Sequence, residues 1–297
     1  MYRPFEKIWL YYNKELNERT YQNMALWTEC PLENLCICIS VNNFLGISVS
    51  ISNIINNLHY NGDTQTFPLY WYEEKSEQQS LFDANSHEYV RHDGITDFAL
   101  KEAHDIYGGN ITKEDIFFYV YGFLHLPKYR EQFAADLKKS LPRIKFVETR
   151  ADFVQIMKAG RALAKLHLEY ENQPAPEGIV VEGDNPNGDI YSFYSVTKLT
   201  YEDKTKKDVI HYNGHITIKN VPSEVYDYVV NGRSPVDWIF DRYQVTVDKK
   251  SGIKNDPNDW SKEHEQPRYI LDLLLSVMTV SLKTQELVAK LPDVKFE

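Results

Sequence analysis

The sequence predicts an α+β chain in which mixed sheet lobes flank a helical block and a long C-terminal helix closes the fold. Three observations predict it. The first ~70 residues are dominated by short runs rich in β-branched residues. From Ile95 to Tyr170 the apolar spacing becomes helical, and strand patterns return around Asp208 to Lys219 before a last helical stretch from about Arg268 to Ala289. These shifts divide the chain into residues 1–94, a β-rich part ending in an acidic linker, 95–172, the helical block, and 173–297, an α/β part carrying the hairpin 208–219 and the terminal helix.

Each element has a local reason. Leu35 to Val41 and Ile47 to Ile51 are strands separated by the turn Asn42 to Gly46, while the polar stretch Glu73 to Gly94 lacks periodicity and reads as a linker. Thr112 can cap a helix with Asp115 as its capping-box partner, and Pro127 ends the aromatic run that follows. A second helix is expected over Lys128 to Ser140 and a third over Ala151 to Glu169, the latter with Phe153, Ile156, Met157, Leu163 and Leu166 largely on one face. Pro174 to Gly178 breaks the pattern, and Ile190 to Tyr201 reads as strand. Asn213-Gly214, between Asp208 to Tyr212 and His215 to Lys219, is expected to form a two-residue type I′ turn, since both central residues of that turn need positive φ. Asn231-Gly232 closes a short helix begun near Val221-Pro222, and Pro235 suits the first turn of the next helix.

The chain has 297 residues, of which 42% are hydrophobic and 13% aromatic, enough to bury real cores and to argue against a disordered chain. Its formal net charge of -10 argues against a nucleic-acid partner until its distribution is read. Glu73 to Asp105 holds nine acids and three bases, net -6, whereas Leu126 to Tyr170 holds five acids and ten bases, net +5. Val196 to Asn255, with eight acids and ten bases, is net +2, so a DNA-facing surface belongs in the middle and C-terminal parts.

Cys30, Cys36 and Cys38 form neither a disulfide framework nor a four-ligand metal set. With no basic-then-apolar leader and no apolar run near the ~20 residues a bilayer requires, a cytoplasmic chain without a membrane role is expected. Gly160 to Lys165 lacks the second glycine and the hydroxyl residue of a phosphate cradle, and Asn185-Pro186-Asn187-Gly188 lacks the second proline and aromatic of an amino-methyltransferase loop. Cys36 with Cys38, or His211 with His215, would make only weak metal sites. No spacing assembles a nucleophile with a base. The chain is expected to be non-catalytic by itself.

What the sequence offers is binding chemistry. Lys204, Lys206 and Lys207 precede the expected hairpin, and Lys249, Lys250 and Lys254 follow the Trp238-to-Tyr243 helix; flexible lysines on loops can neutralise phosphates, or simply solvate a loop. Arg233 follows a glycine in a turn, where a guanidinium can reach guanine or a phosphate, or stay in solvent. Arg242, beside Asp241 and four residues after Trp238, is better suited to pair with a carboxylate or pack on the ring. Asn213 could reach an adenine edge if the turn does not need it. Arg143 and Lys145, in a second basic group with Lys138, Lys139 and Arg150, could flank a duplex.

The run Asn231 to Val245 followed by Asn255-Asp256-Pro257-Asn258-Asp259-Trp260 resembles the C-terminal specificity region of the single-polypeptide, ATP-dependent Type ISP restriction-modification enzymes. Tyr2-Arg3-Pro4-Phe5, the pair of stretches His125 to Arg130 and Leu141 to Ile144, and Pro267 to Leu273 are similar to further parts of that region, so the likeness extends over nearly the whole chain. Lys145 departs from it, standing where members often carry a second proline. The resemblance implies a target recognition domain that reads short double-stranded DNA and presents it to an adenine methyltransferase domain of the same enzyme. It implies no cofactor in this chain, with S-adenosylmethionine, ATP and Mg serving the methyltransferase, helicase and nuclease parts. It also implies a fragment or a truncated product of a longer enzyme. The alternative is a stand-alone interaction subunit that docks onto a restriction-modification methyltransferase.

Overall fold

The computed structural model describes the whole chain except residues 14, 18–22, 28–32, 43, 61, 76–88 and 297. Cys30 lies outside the described residues. Mixed α and β content, several small sheets and a long C-terminal helix make the fold α+β. Two compact units are present: Met1–Arg3, Lys7–Leu168 and Leu287–Glu297 form the first, and Pro4–Glu6 with Glu169–Glu286 the second.

In the first unit a short helix α1 (Asn23–Leu26) precedes β1 (Cys36–Asn42) and β2 (Gly46–Ser52), which pair antiparallel over seven residues. β3 (Gln65–Pro68) adds to the far edge of β1, giving the order β2-β1-β3. Strand alternation sends Ile37, Ile39, Val49 and Ile51 to one buried cluster and Cys36 and Cys38 to another with Leu26 and Tyr60. Burial pushes both thiols up, Cys38 to about 12, so both are neutral, packed side chains. The stretch expected as a linker is partly sheet: β4 (Tyr70–Glu74) pairs with β5 (Tyr89–Asp93), where the aromatic rings of Trp71 and His92 stack at 4.0 Å. The acidic composition hid a cross-strand aromatic pair.

The helical part follows as α2 (Asp97–Tyr107), α3 (Lys113–Phe123), α4 (Pro127–Gln132) and α5 (Arg150–Leu168). The Thr112–Asp115 capping box forms as expected, but Pro127 opens α4 at its first turn instead of merely stopping α3. α4 ends at Gln132, well short of the expected Ser140; turns continue to the serine. α3 and α5 approach closely because a Cβ at Gly160 would stand 1.9 Å from the Phe118 carbonyl oxygen and one at Gly122 would stand 2.3 Å from that of Ile156. Around this contact Tyr119, Phe123, Phe153 and Ile156 are almost wholly buried.

The second unit begins with β6 (Val180–Glu182) and α6 (Ile190–Tyr194), the latter standing where strand was expected because Asp189 caps its N-terminus through the Tyr191 amide. β7 (Thr200–Tyr201), β8 (Ile210–His211) and β9 (Thr217–Lys219) complete a sheet of order β6-β9-β8-β7. A short 3₁₀ turn, Ser223–Tyr226, leads to α7 (Pro235–Arg242), capped by Ser234. The two-stranded ribbon β10 (Thr246–Val247) and β11 (Lys254–Asn255) and helix α8 (Asn258–Glu263) precede α9 (Tyr269–Ala289), whose buried face includes Leu271, Leu274, Val277 and Met278.

The tight turn lies elsewhere than the sequence suggests. β8 and β9 pair Ile210 with Ile218 and His211 with Thr217, so five residues, not two, join them. Asn231 (φ 49°) and Gly232 (φ 78°) are the consecutive positive-φ residues instead, between Val230 and Arg233, which exchange backbone hydrogen bonds of 2.9 and 3.3 Å.

Candidate nucleic-acid interface

In the first unit the basic segment after α4 is held by buried phenols. The hydroxyls of Tyr129, Tyr119 and Tyr107 donate to the carbonyls of Arg143 (3.1 Å), Lys145 (2.6 Å) and Val147. Three alternate carbonyls are thus fixed. Ile144 and Phe146 turn into the core while Arg143 and Lys145 stand exposed. Burial pushes all three phenols up, so they remain neutral donors. Arg143 and Lys145 also border a cavity of about 400 Å³ walled by Phe123, Tyr129, Phe133, Leu137 and Phe296.

In the second unit the β10–β11 ribbon carries the lysines of the other basic group. Asp248 organises its tip by accepting hydrogen bonds from the amides of Ser251 (2.7 Å) and Lys250 (3.0 Å) and from the Ser251 hydroxyl (2.8 Å). Those bonds, led by the Ser251 amide, hold its carboxyl below the usual range. Gly252, at φ 71°, supplies the left-handed residue that brings the chain back. Lys249 and Lys250 are exposed at the tip, beside Val247 and Ile253, which are 58% and 69% exposed. Neither apolar residue was singled out from the sequence; a branched side chain inside a Lys- and Gly-rich turn is the signal that could have found them. Lys254 is exposed but paired with Asp256 at 2.8 Å, which raises its pKa.

The other candidates divide by how far the fold engages them. Lys204 and Lys206 lie exposed on a turn that Asp203 closes by accepting from the amides of Thr205 and Lys206. Lys207 is different: its ammonium sits 3.1 Å from Asp237 and over the rings of Tyr201 and Tyr226. Arg233 is half exposed, bound to Asp241 at 2.8 Å and lying over the Trp238 ring. Arg242 meets Asp241 at 3.2 Å and Glu6 at 3.8 Å. Asn213 has its amide fully committed: Nδ2 donates to the carbonyls of Phe193 and Ser195, and Oδ1 accepts from the amides of His215 and Ile216. That clamp explains the wide β8–β9 loop, and it leaves no donor or acceptor for a base edge.

The Asn213 loop also walls a polar hollow of about 210 Å³ with Thr197, Lys198, Thr200, His211 and Gly214. His211 and His215 have separate partners, Thr217 for the first and the stacked Phe193 ring for the second. No group of three or more His, Cys, Asp or Glu side chains among the described residues could hold a metal ion. None of the described helices is long and apolar enough to cross a membrane.

The chain as a whole has solved relatives. It is similar to the "ATP-dependent Type ISP restriction-modification enzyme LlaBIII bound to DNA", with 36% identity and a TM-score of 0.85 over 100% of this chain and 18% of that one. A nuclease-deletion mutant of the Type ISP enzyme LlaGI, in complex with a DNA substrate mimic, matches at 39% identity and a TM-score of 0.80, over 100% of this chain and 21% of its own. A DrdV–DNA complex matches at 28% identity and a TM-score of 0.80, over 99% of this chain and 28% of its own. The chain therefore spans less than a third of each of these structures. No curated protein matches it. The sequence profile of the Type ISP C-terminal specificity domain matches residues 1–273, and the chain belongs to that family.

Proposed function

We propose that this chain recognises a short sequence of double-stranded DNA as the specificity module of a Type ISP restriction-modification enzyme, without catalysis of its own. The observation that carries the reading is the likeness of the entire chain, at 36% and 39% identity, to Type ISP enzymes solved with DNA or a DNA mimic. The β10–β11 ribbon is its main contact: Lys249 and Lys250 meet phosphates and the exposed Val247 and Ile253 reach toward base edges. Arg143 and Lys145 contact the backbone from the first unit, and Lys204 and Lys206 add exposed charge in the second. Arg233 contributes through a guanidinium already oriented by Asp241 and Trp238, while Lys207 and Asn213 frame the fold. An adenine methyltransferase domain of the same cytoplasmic polypeptide supplies the S-adenosylmethionine site, and its motor and nuclease parts use ATP and Mg.

Selection of random duplexes on the purified chain tests this reading. Enrichment of one short sequence, with log affinity falling steeply against log salt, is the expected result. Equal recovery of all sequences, with no binding at low salt, would sink it. The exposed Ile8, Leu10 and Tyr11 favour a second role alongside the first, docking against another domain of the enzyme. Retention of the chain by the separately expressed methyltransferase domain, lost in Leu10→Ser, is the corresponding check.

A further inference from the structure

The polar hollow of about 210 Å³ in the second unit, walled by Thr197, Lys198, Thr200, His211, Asn213 and Gly214, has a backbone fastened from several sides. Asn213 Nδ2 donates to the Ser195 carbonyl at 3.1 Å. The Asn258 side chain accepts from the Val196 amide at 2.8 Å and donates to the Val196 carbonyl at 2.9 Å, and the Val245 amide donates to the Thr197 carbonyl at 2.9 Å. Val196 and Leu199 are almost wholly buried, and β7 pairs Thr200 directly with His211 on β8. Both clamping asparagines stand in motifs that the sequence marks, Asn213-Gly214 and the Asn255-to-Trp260 run.

The fold uses the side chains of this wall differently from its backbone. Thr197, Lys198 and Thr200 are exposed, and among the described residues no hydrogen bond or ion pair engages their side chains. His211 Nδ1 lies 3.3 Å from the Thr217 hydroxyl, and the imidazole has a second nitrogen to offer. Asn213 Oδ1, the amide oxygen of the wall, already accepts from the His215 and Ile216 amides. No carboxylate belongs to the wall. The hollow thus combines an ammonium, two hydroxyls and an imidazole without a fixed negative charge, a set that suits an anion whose oxygens point in several directions. Its volume of about 210 Å³ is below the roughly 300 Å³ at which sites enclose drug-sized ligands, and a single phosphate group suits it.

The geometry points to this hollow as a seat for one phosphate group, held by Thr197, Lys198, Thr200 and His211. The phosphate comes from the backbone of bound DNA or from a free phosphate-bearing ligand, and the first source rests on the DNA-binding reading above. A seat on a fastened wall sets position, which lysines on free loops do not.

The test follows the His211 ring protons of the full chain by NMR at constant pH, while inorganic phosphate or, separately, a mixed-sequence duplex at low salt is added. Both are expected to move the His211 signals. Lys198→Ala/Thr200→Val, at two exposed positions whose backbone bonds remain, is expected to lose the phosphate response. Its duplex affinity falls about five- to tenfold, and the slope of log affinity against log salt shrinks by about one. Lys198→Arg, which keeps the cation, retains the slope. Loss of the phosphate response with duplex affinity unchanged assigns the seat to a free ligand and overturns the backbone source. A wild type that binds duplex while neither addition moves His211 overturns the seat and leaves DNA recognition intact. A wild type whose His211 responds to phosphate but which binds no duplex overturns the DNA reading and leaves the seat. Signals moved by poly-glutamate and not by phosphate overturn the proposal and assign the hollow to protein carboxylates.

Discussion

The two basic segments of this chain are positioned by opposite means. Arg143 and Lys145 ride on an extended segment whose alternate carbonyls are gripped by three buried tyrosines rooted in the helical core. Lys249 and Lys250 ride on a ribbon with two-residue strands, held by the single carboxylate of Asp248 and one glycine. The first pair is as rigid as the core beneath it. The tip of the second is shaped by hydrogen bonds within its own turn. Under the proposed function a DNA-reading module would gain from both, because fixed cations would set the register of the backbone while a locally built finger could adapt, or be exchanged, without disturbing the fold.

The difference is broken most directly in the core. In Gly160→Ala the new methyl would collide with the Phe118 carbonyl, which belongs to backbone and cannot swing away. A loss of about 3 kcal/mol or more is expected in urea unfolding of the chain. If the tyrosine tethers depend on that helix contact, exposure of the Arg143–Val147 segment to hydrogen exchange rises with it. The β10–β11 amides, held locally, are expected to exchange as in the wild type. Equal change in both segments would show that the ribbon, too, leans on the core.

Acid acts on the same core. His125 and His167 have their rings 5.8 Å apart, His125 Nδ1 lies 2.7 Å from the Tyr121 carbonyl, and the Tyr121 hydroxyl lies 2.6 Å from His167 Nδ1. Burial lowers both pKa values, to about 3 for His167, with Arg130 and His167 also opposing charge on His125. The unfolded chain thus binds protons that the folded one refuses. The contribution of these rings is complete above the unfolded value near 6.5 and is lost as pH falls below it, for His167 toward its folded value of about 3, by at most about 1.4 kcal/mol per pH unit for a ring that stays neutral. The denaturant midpoint measured at stepwise pH should show that slope, and His167→Gln should reduce it; an unchanged slope would remove His167 from the account.

A smaller effect isolates the tether. Tyr119→Phe removes the hydroxyl that satisfies the Lys145 carbonyl, at an expected cost of about 1–2 kcal/mol. DNA affinity should fall further than that of a stability-matched variant elsewhere in the core, since Lys145 loses its fixed position. Titration of both variants at a temperature where each is fully folded separates the two effects.

These contrasts also mark what could be read from the chain. The Thr112–Asp115 capping box, the apolar face of α5 and the long α9 are written locally, in caps and in 3.6-residue spacing. The two Asn-Gly pairs were not separable that way. Asn213-Gly214 has the stronger flanking strands, yet its amide is drawn to the Phe193 and Ser195 carbonyls, acceptors on a distant stretch that no local pattern announces. Of the candidate site, the lysines of the ribbon were legible as charge, whereas the engagement of Lys207 by Asp237 and two tyrosines was not, because it depends on partners up to thirty residues away.

The smallest expected effect on the fold carries the sharpest test of the ribbon. Lys249→Ala/Lys250→Ala removes two exposed side chains from a tip whose Asp248 hydrogen bonds use backbone amides and Ser251, so the unfolding free energy should stay within about 0.5 kcal/mol of wild type. DNA binding should nonetheless weaken, and the slope of log affinity against log salt should shrink by about one for each lysine removed. Asp248→Ala keeps both charges but unties the turn that presents them. If the lysines act only as diffuse charge, this variant binds as well as wild type; if the tip must be shaped, it loses sequence preference while the salt slope stays. The second outcome is expected, because a carboxylate that gathers three donors around one short turn gives the finger its geometry, and geometry is what distinguishes reading DNA from merely adhering to it.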